Sequence, residues 1–180
     1  MRNYCKEKDF KHLEQVEDGV WKMCYLKGAV SDDEKDMFGL DSVEGLVSFE
    51  ECFETKEPTV RSARKMFIEE IEKYDKSSAV NEFYYQGVPM WLDKDTRNGL
   101  VARLQAEKAV GKTSSTLWMG TQSFTVGIDE CLQMLTALEV YASACYDKTQ
   151  EHKAHVMALE DVGEVLAYDY TQGYPEKLEF

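Results

Sequence analysis

The stretch IDECLQMLTALEVYASAC, residues 128–145, constrains the fold most. Its apolar side chains at 128, 131, 132, 135, 138, 142 and 145 recur mostly at intervals of three and four. That spacing gathers them on one side of an α-helix. A second helical stretch is predicted from about 150 to 167, with Leu159, Val162 and Leu166 on its apolar side. The helices need a covering layer, and the residues before them supply short alternating segments instead of further long stripes.

Those segments are punctuated by turn signals. Asp18-Gly19 separates two apolar stretches in LEQVEDGVWKMCYL, residues 13–26, which reads as a hairpin. LVSFEECF, residues 46–53, reads as a third strand, with Leu46, Ser48, Glu50 and Cys52 facing one way and Val47, Phe49, Glu51 and Phe53 the other. Between them, residues 30–45 are acidic and read as an exposed loop. Apolar residues at 60, 63, 67, 71 and 74 predict an amphipathic helix after Pro58, with Thr55 or Glu57 near its cap. SSAVNE, residues 77–82, ends that helix and reads as a hinge. Gln86-Gly87 marks a second hairpin within residues 83–93. A helix capped by Asp93 or Asp95 follows, then a GKTSST loop, then a third hairpin around Gly120-Thr121. The tail from Tyr168 reads as an ordered loop, because its tyrosines need packing partners.

The pattern predicts an α+β fold: short antiparallel strands and hairpins packed on two or three helices. Residues 1–57 form a small β-rich unit, 58–82 a connecting helix and hinge, and 83–180 an α+β C-terminal domain. Thirty-four acidic against 21 basic residues give a formal charge of -13. That sign repels phosphate backbones, so nucleic acid is not an expected partner. No apolar run is long enough for a transmembrane helix, and the N-terminus lacks the apolar segment of a signal peptide, so no membrane role is expected and the chain reads as cytoplasmic. The five cysteines are scattered and include no C-x-x-C pair, consistent with buried thiols in a reducing compartment.

Chemistry-bearing clusters are few. Cys145, His152 and His155 lie within eleven residues and could suit a soft or borderline metal. On an unbroken helix Cys145 and His152 would stand about 10 Å apart along the axis, too far to share one ion. A break near residues 147–149 would bring them together. Gly-Lys-Thr at 111–113 resembles the end of a phosphate loop, but Ala106 stands where the pattern requires glycine and a helix precedes it. The carboxylate pairs at 32–33, 50–51 and 69–70 read as solvated charges or as neighbours on opposite strand faces. No Gly-x-Ser-x-Gly elbow exists, and nothing marks Cys131 or Cys145 as an activated thiol. No cofactor or catalytic residue is expected. The alternating aromatics of the second and third hairpins, among them Tyr85, Trp91, Trp118 and Phe124, are candidates for a protein interface where they remain exposed.

The order of several segments is familiar: FYYQGVPMWLDKDTR, then RLQAEKAVGKTSSTLWMGTQSFTV, then CLQMLTALEVYASACYDKTQEH, then EVLAYDYTQGYPEKL. It resembles an uncharacterised C-terminal domain that recurs in phage and prophage proteins, among them tail-fibre and tail-fibre-assembly proteins. LEQVEDGVWKMCYLKG and GLVSFEECFETKEPTVRSARKMFIEEIEKYDK are similar to the front half of small proteins from gut-bacterial phages. The resemblance implies a non-enzymatic phage protein, either a tail-associated virion component or an assembly factor. Its expected partners are other phage structural proteins or further copies of itself. Its expected location is the host cytoplasm during assembly, with retention in the virion left open. It carries over no catalytic residue. The alternative from a different class is a small metal- or thiol-dependent enzyme using Cys145 with His152 and His155.

Overall fold

The Asp18-Gly19 turn closes the first hairpin, with Gly19 at φ 72°, where a side chain would be strained. This computed structural model describes residues 2–119 and 121–180, and for Arg2, Met119 and Gln122 the backbone alone. The fold is mixed α+β. Four strands, β1 (Arg2–Lys6), β2 (Leu13–Glu17), β3 (Val20–Ala29) and β4 (Leu46–Glu54), make an antiparallel sheet in the order β1-β4-β3-β2. Met23 lies opposite Cys52 and Tyr25 opposite Glu50, while Cys24 lies opposite Glu51. Since side chains alternate along a strand, the first two pairs share one face and the third takes the other.

The acidic segment after β3 is not an open loop. It contains α1 (Asp32–Phe38). Ser31 and Glu34 form a capping box: the Glu34 amide donates to Ser31 Oγ at 3.2 Å, and the Ser31 amide donates to Glu34 Oε2 at 3.1 Å. Asp32, Asp33 and Glu34 sit in the first turn, where the helix dipole favours negative charge.

The predicted amphipathic helix is α2 (Val60–Asp75), with Ala63, Phe67 and Ile71 buried. Its cap is Thr59 instead of Thr55 or Glu57. The Ser62 amide donates to Thr59 Oγ1 at 3.2 Å, and the Thr59 amide donates to Ser62 Oγ at 2.9 Å. The ring of Phe67 lies 5.9 Å from that of Tyr25 and 5.5 Å from that of Tyr170.

The remaining elements are α3 (Ser78–Asn81), β5 (Phe83–Tyr85), β6 (Val88–Met90), α4 (Lys94–Ala109), β7 (Ser114–Met119), β8 (Gln122–Gly127), α5 (Ile128–Ala158) and α6 (Val162–Ala167). Gln86 at φ 51° and Gly87 at φ 77° turn β5 into β6 with the left-handed pair that two-residue hairpins favour. Asp93 caps α4 by accepting from the Thr96 amide at 2.9 Å. Phe83, Leu104, Ile128, Cys131, Leu135 and Leu138 form one buried apolar cluster. Val80, Tyr141 and Cys145 form another, in which the Tyr141 hydroxyl donates to the Val80 carbonyl at 2.8 Å. The stretch read as a hinge therefore carries a helical turn with a buried Val80.

Two compact units emerge from the contacts. One comprises the chain up to Ile71 together with Glu151–Gln172; the other comprises Glu72–Gln150 and Gly173–Phe180. The division falls inside α2 and α5, not at 77–82. It differs from the sequence expectation because α6 packs on β3 and β2, which joins a late segment to the first sheet. The second helical stretch expected from 150 to 167 is the end of α5 followed by a separate α6, capped by Asp161, which accepts from the Glu164 amide at 3.1 Å.

Candidate functional site

The helix α5 is continuous from Ile128 to Ala158, with no break at 147–149. Its buried positions are Ile128, Cys131, Leu135, Leu138, Tyr141, Cys145, Thr149, His152 and Val156. Cys145 and His152 are thus members of one stripe, two turns apart along the axis. His152 is 4 % exposed. Its Nε2 lies 3.0 Å from the Gln172 carbonyl, and its Nδ1 lies 2.6 Å from the Tyr168 hydroxyl. A carbonyl only accepts, so Nε2 carries a proton, and the Tyr168 hydroxyl engages Nδ1. Both ring nitrogens a metal could use are thus held by protein partners. His155 stacks on the same tyrosine, with centroids 4.7 Å apart and planes at 15°. Among the described residues, no three His, Cys, Asp or Glu side chains are grouped as metal ligands would be.

The thiols are set against nucleophilic chemistry. Burial pushes Cys5, Cys24, Cys52, Cys131 and Cys145 above the ordinary thiol range, Cys24 to about 11. An activated cysteine moves in the opposite direction. Around Cys145 the structure leaves a cavity of about 20 Å³, lined in part by Val80, Phe83, Leu138 and Tyr141. That is room for about one water, far below the several hundred Å³ of a substrate pocket. One sulfur contact was not foreseen: the buried Tyr25 hydroxyl meets both Met66 Sδ and Cys52 Sγ, the latter at 3.4 Å. Burial and Cys52 push the Tyr25 phenol well above its usual range.

Gly111-Lys112-Thr113 borders an open polar depression of about 500 Å³, lined also by Arg103, Glu107 and residues 114–116. Its cations are already committed. Arg103 Nε pairs with Glu107 Oε1 at 3.3 Å, and Lys112 Nζ lies 3.6 Å from the same oxygen. Hydrogen bonding from Ser115, then Arg103 and the nearby cations, holds the Glu107 carboxyl below its ordinary range against some desolvation. An anion entering here would have to displace a carboxylate that two cations hold, and α4 precedes the glycine where a phosphate loop would have a strand. The carboxylate pairs also stay apart: Glu50 faces Lys27 at 3.7 Å, while Glu51 points to the other side of the sheet.

The candidate aromatics fare differently from one another. Tyr85 packs against the cluster built on Phe83 and Leu104, so its ring is not an open surface. Trp91, Trp118 and Phe124 are 53 %, 66 % and 44 % exposed. In the β7–β8 hairpin, Trp118 lies opposite Ser123, Thr116 opposite Thr125, and Leu117 opposite Phe124. Leu117 and Val126 pack toward the core, so Trp118, Thr116, Ser123 and Thr125 share the outer face. The polar–aromatic alternation in sequence could be read either way; only the burial of Leu117 decides it. Among the described residues no helix is long and apolar enough to cross a membrane. No protein-family model, no curated protein and no solved structure matches the chain.

Proposed function

We propose that this chain is a non-enzymatic phage or prophage protein, a tail-associated virion component or an assembly factor, that acts by protein-protein contact. The observation that carries the contact reading is the β7–β8 hairpin, on which Trp118 is 66 % and Phe124 44 % exposed. Large aromatic rings on a polar hairpin are the side chains from which interfaces draw most of their energy. The buried His152, held at both ring nitrogens, and the raised thiols support a structural role for the residues that could otherwise have carried catalysis. The phage setting rests on the order of segments in the sequence. The test is quantitative mass spectrometry of purified particles and of tail-assembly intermediates from cells producing the phage. The chain is expected at fixed stoichiometry in one of the two, and W118A is expected to lower its incorporation. Absence from both would refute the reading.

A further inference from the structure

An exposed strand edge is a template for another chain, and proteins normally guard it with charge, proline, a bulge or a covering segment. Nearly every outer edge here has such a guard. In the first sheet, β1 carries Lys6, and β2 carries Glu14, Glu17 and a bulge between Gln15 and Glu17. The outer edge of β5 is closed by the C-terminal residues: the Tyr84 amide donates to Leu178 O at 2.9 Å, and the Phe180 amide donates to Tyr84 O at 2.9 Å. The β6 strand is three residues long and contains Pro89. The outer edge of β7 is met by Arg103, whose Nη2 donates to the Thr116 carbonyl at 2.8 Å.

The β8 strand has none of these. Ladder parity shows what it presents. The Ile128 amide donates to the Thr113 carbonyl, so pairs two residues further along, Ser115 with Val126 and Leu117 with Phe124, are the hydrogen-bonded ones. The amides and carbonyls of Ser123 and Thr125 therefore point away from β7. Both residues are exposed, and no backbone partner for either is present among the described residues. Residues 113–128 also form the longest run in the sequence without a charged side chain.

Building on the contact reading above, we propose that the outer edge of β8 pairs antiparallel with β8 of a second copy, making a four-stranded sheet β7-β8-β8-β7 across a two-fold axis. The self-complementarity of the edge selects this occupant, and the absence of charge on the hairpin permits it. Each copy carries a formal charge of -13, so two copies repel over most approaches and meet without like charges at an uncharged hairpin. A two-fold axis through a strand edge is self-complementary: the outward amides of each copy meet the outward carbonyls of the other. The two-fold keeps both Phe124 rings on one face of the joined sheet, beside each other instead of in water. A six-residue strand is about 20 Å long, so the contact is small and the dimer dissociates on dilution.

The test is light scattering of the full chain across a concentration series. The expected mass rises from 20.7 kDa toward twice that value. T125P removes an outward amide and no β7–β8 ladder bond, so it should stay folded by circular dichroism and remain monomeric. T125K places a guarding charge on the same edge and should do the same, covering the case in which the proline variant fails to fold. V88K, on the other hairpin, should dimerise like the wild type. Dimers that persist in folded T125P and T125K would overturn the proposal while leaving association through another surface intact. A wild type that is monomeric throughout would overturn it too. If T125K then still lowered particle incorporation, the edge would belong to a strand of a different protein. If it did not, and the chain were absent from particles and intermediates, the broader contact reading would fall as well.

Discussion

Replacing His152 with alanine separates a packing histidine from a metal ligand. The substitution removes a ring that is 4 % exposed and two hydrogen bonds, to Tyr168 and to the Gln172 carbonyl. Each bond contributes about 1 kcal/mol net, and truncating a buried ring adds about 1–2 kcal/mol. Gln172 is exposed, so its orphaned carbonyl can turn to water and the larger penalty of a dry unpaired acceptor does not apply. The expected loss is about 3–4 kcal/mol. For a chain of this size that lowers the melting temperature by about 6–16 °C. The assay is differential scanning calorimetry of wild type and H152A, each with chelator and with added zinc. The two wild-type curves should coincide, and H152A should melt lower by the same amount in both. A ligand stabilises whatever folded state it binds. Zinc that raised the wild-type transition and left H152A or H155A unmoved would refute the reasoning, as would a loss below about 0.5 kcal/mol in H152A.

Two other perturbations probe the units separately. Leu104 is fully buried in the cluster around Phe83, so L104A should lose about 2–5 kcal/mol by chemical denaturation; a loss under about 1 kcal/mol would mean that cluster is not a packed core. His12 is half-buried with Nδ1 3.3 Å from the Cys24 carbonyl, and burial holds its pKa below the ordinary histidine range despite that bond. The unfolded chain therefore takes up a proton at higher pH than the folded chain, so this part of the stability is present above the ordinary histidine pKa and is lost as pH falls through it toward the folded value. Denaturation midpoints measured from pH 7.5 downward should decline across that window in the wild type and decline less in H12Q; identical slopes would contradict it.

Much of the fold was legible because it is local. The Asp18-Gly19 and Gln86-Gly87 turns, the stripe of α2 and the Asp93 cap each involve residues within a few positions of one another. The α1 helix was also local, and its S-x-x-E box lies in plain view at 31–34, but the run of acids around it read as a solvated loop. The length of α5 was obscured for the opposite reason. Beyond Cys145 its buried positions are Thr149 and His152, which break an apolar count. They are tolerated inside because distant residues satisfy them: Asp75 at 2.7 Å and Tyr174 at 3.0 Å for Thr149, and Tyr168 and Gln172 for His152. A polar residue can hold a core position only when such partners exist, and periodicity carries no record of them.

The candidate surface divides along the same line. That Trp118 and Phe124 belong to a hairpin follows from the alternation of residues 114–127, and that Trp118 faces outward follows once Leu117 is known to face inward; Phe124, opposite Leu117, shares the inward face and is 44 % exposed because the core covers that end of the hairpin only in part. Which edge of that hairpin stays open is decided elsewhere in the chain. Arg103 covers Thr116 from one turn and a half before the end of α4, and residues 178–180 cover Tyr84 from the far terminus. Before those contacts form, β5, β7 and β8 are equivalent as edges. Folding removes two of them and leaves the one whose neighbourhood is also free of charge. An edge that survives by default would be expected to carry a lysine, a proline or a bulge, as β1, β2 and β6 do. An unoccupied ladder at Ser123 and Thr125 among the described residues, a partly exposed Phe124 between them and no charge from 113 to 128 set β8 apart from those guarded edges, and the proposed pairing rests on that difference.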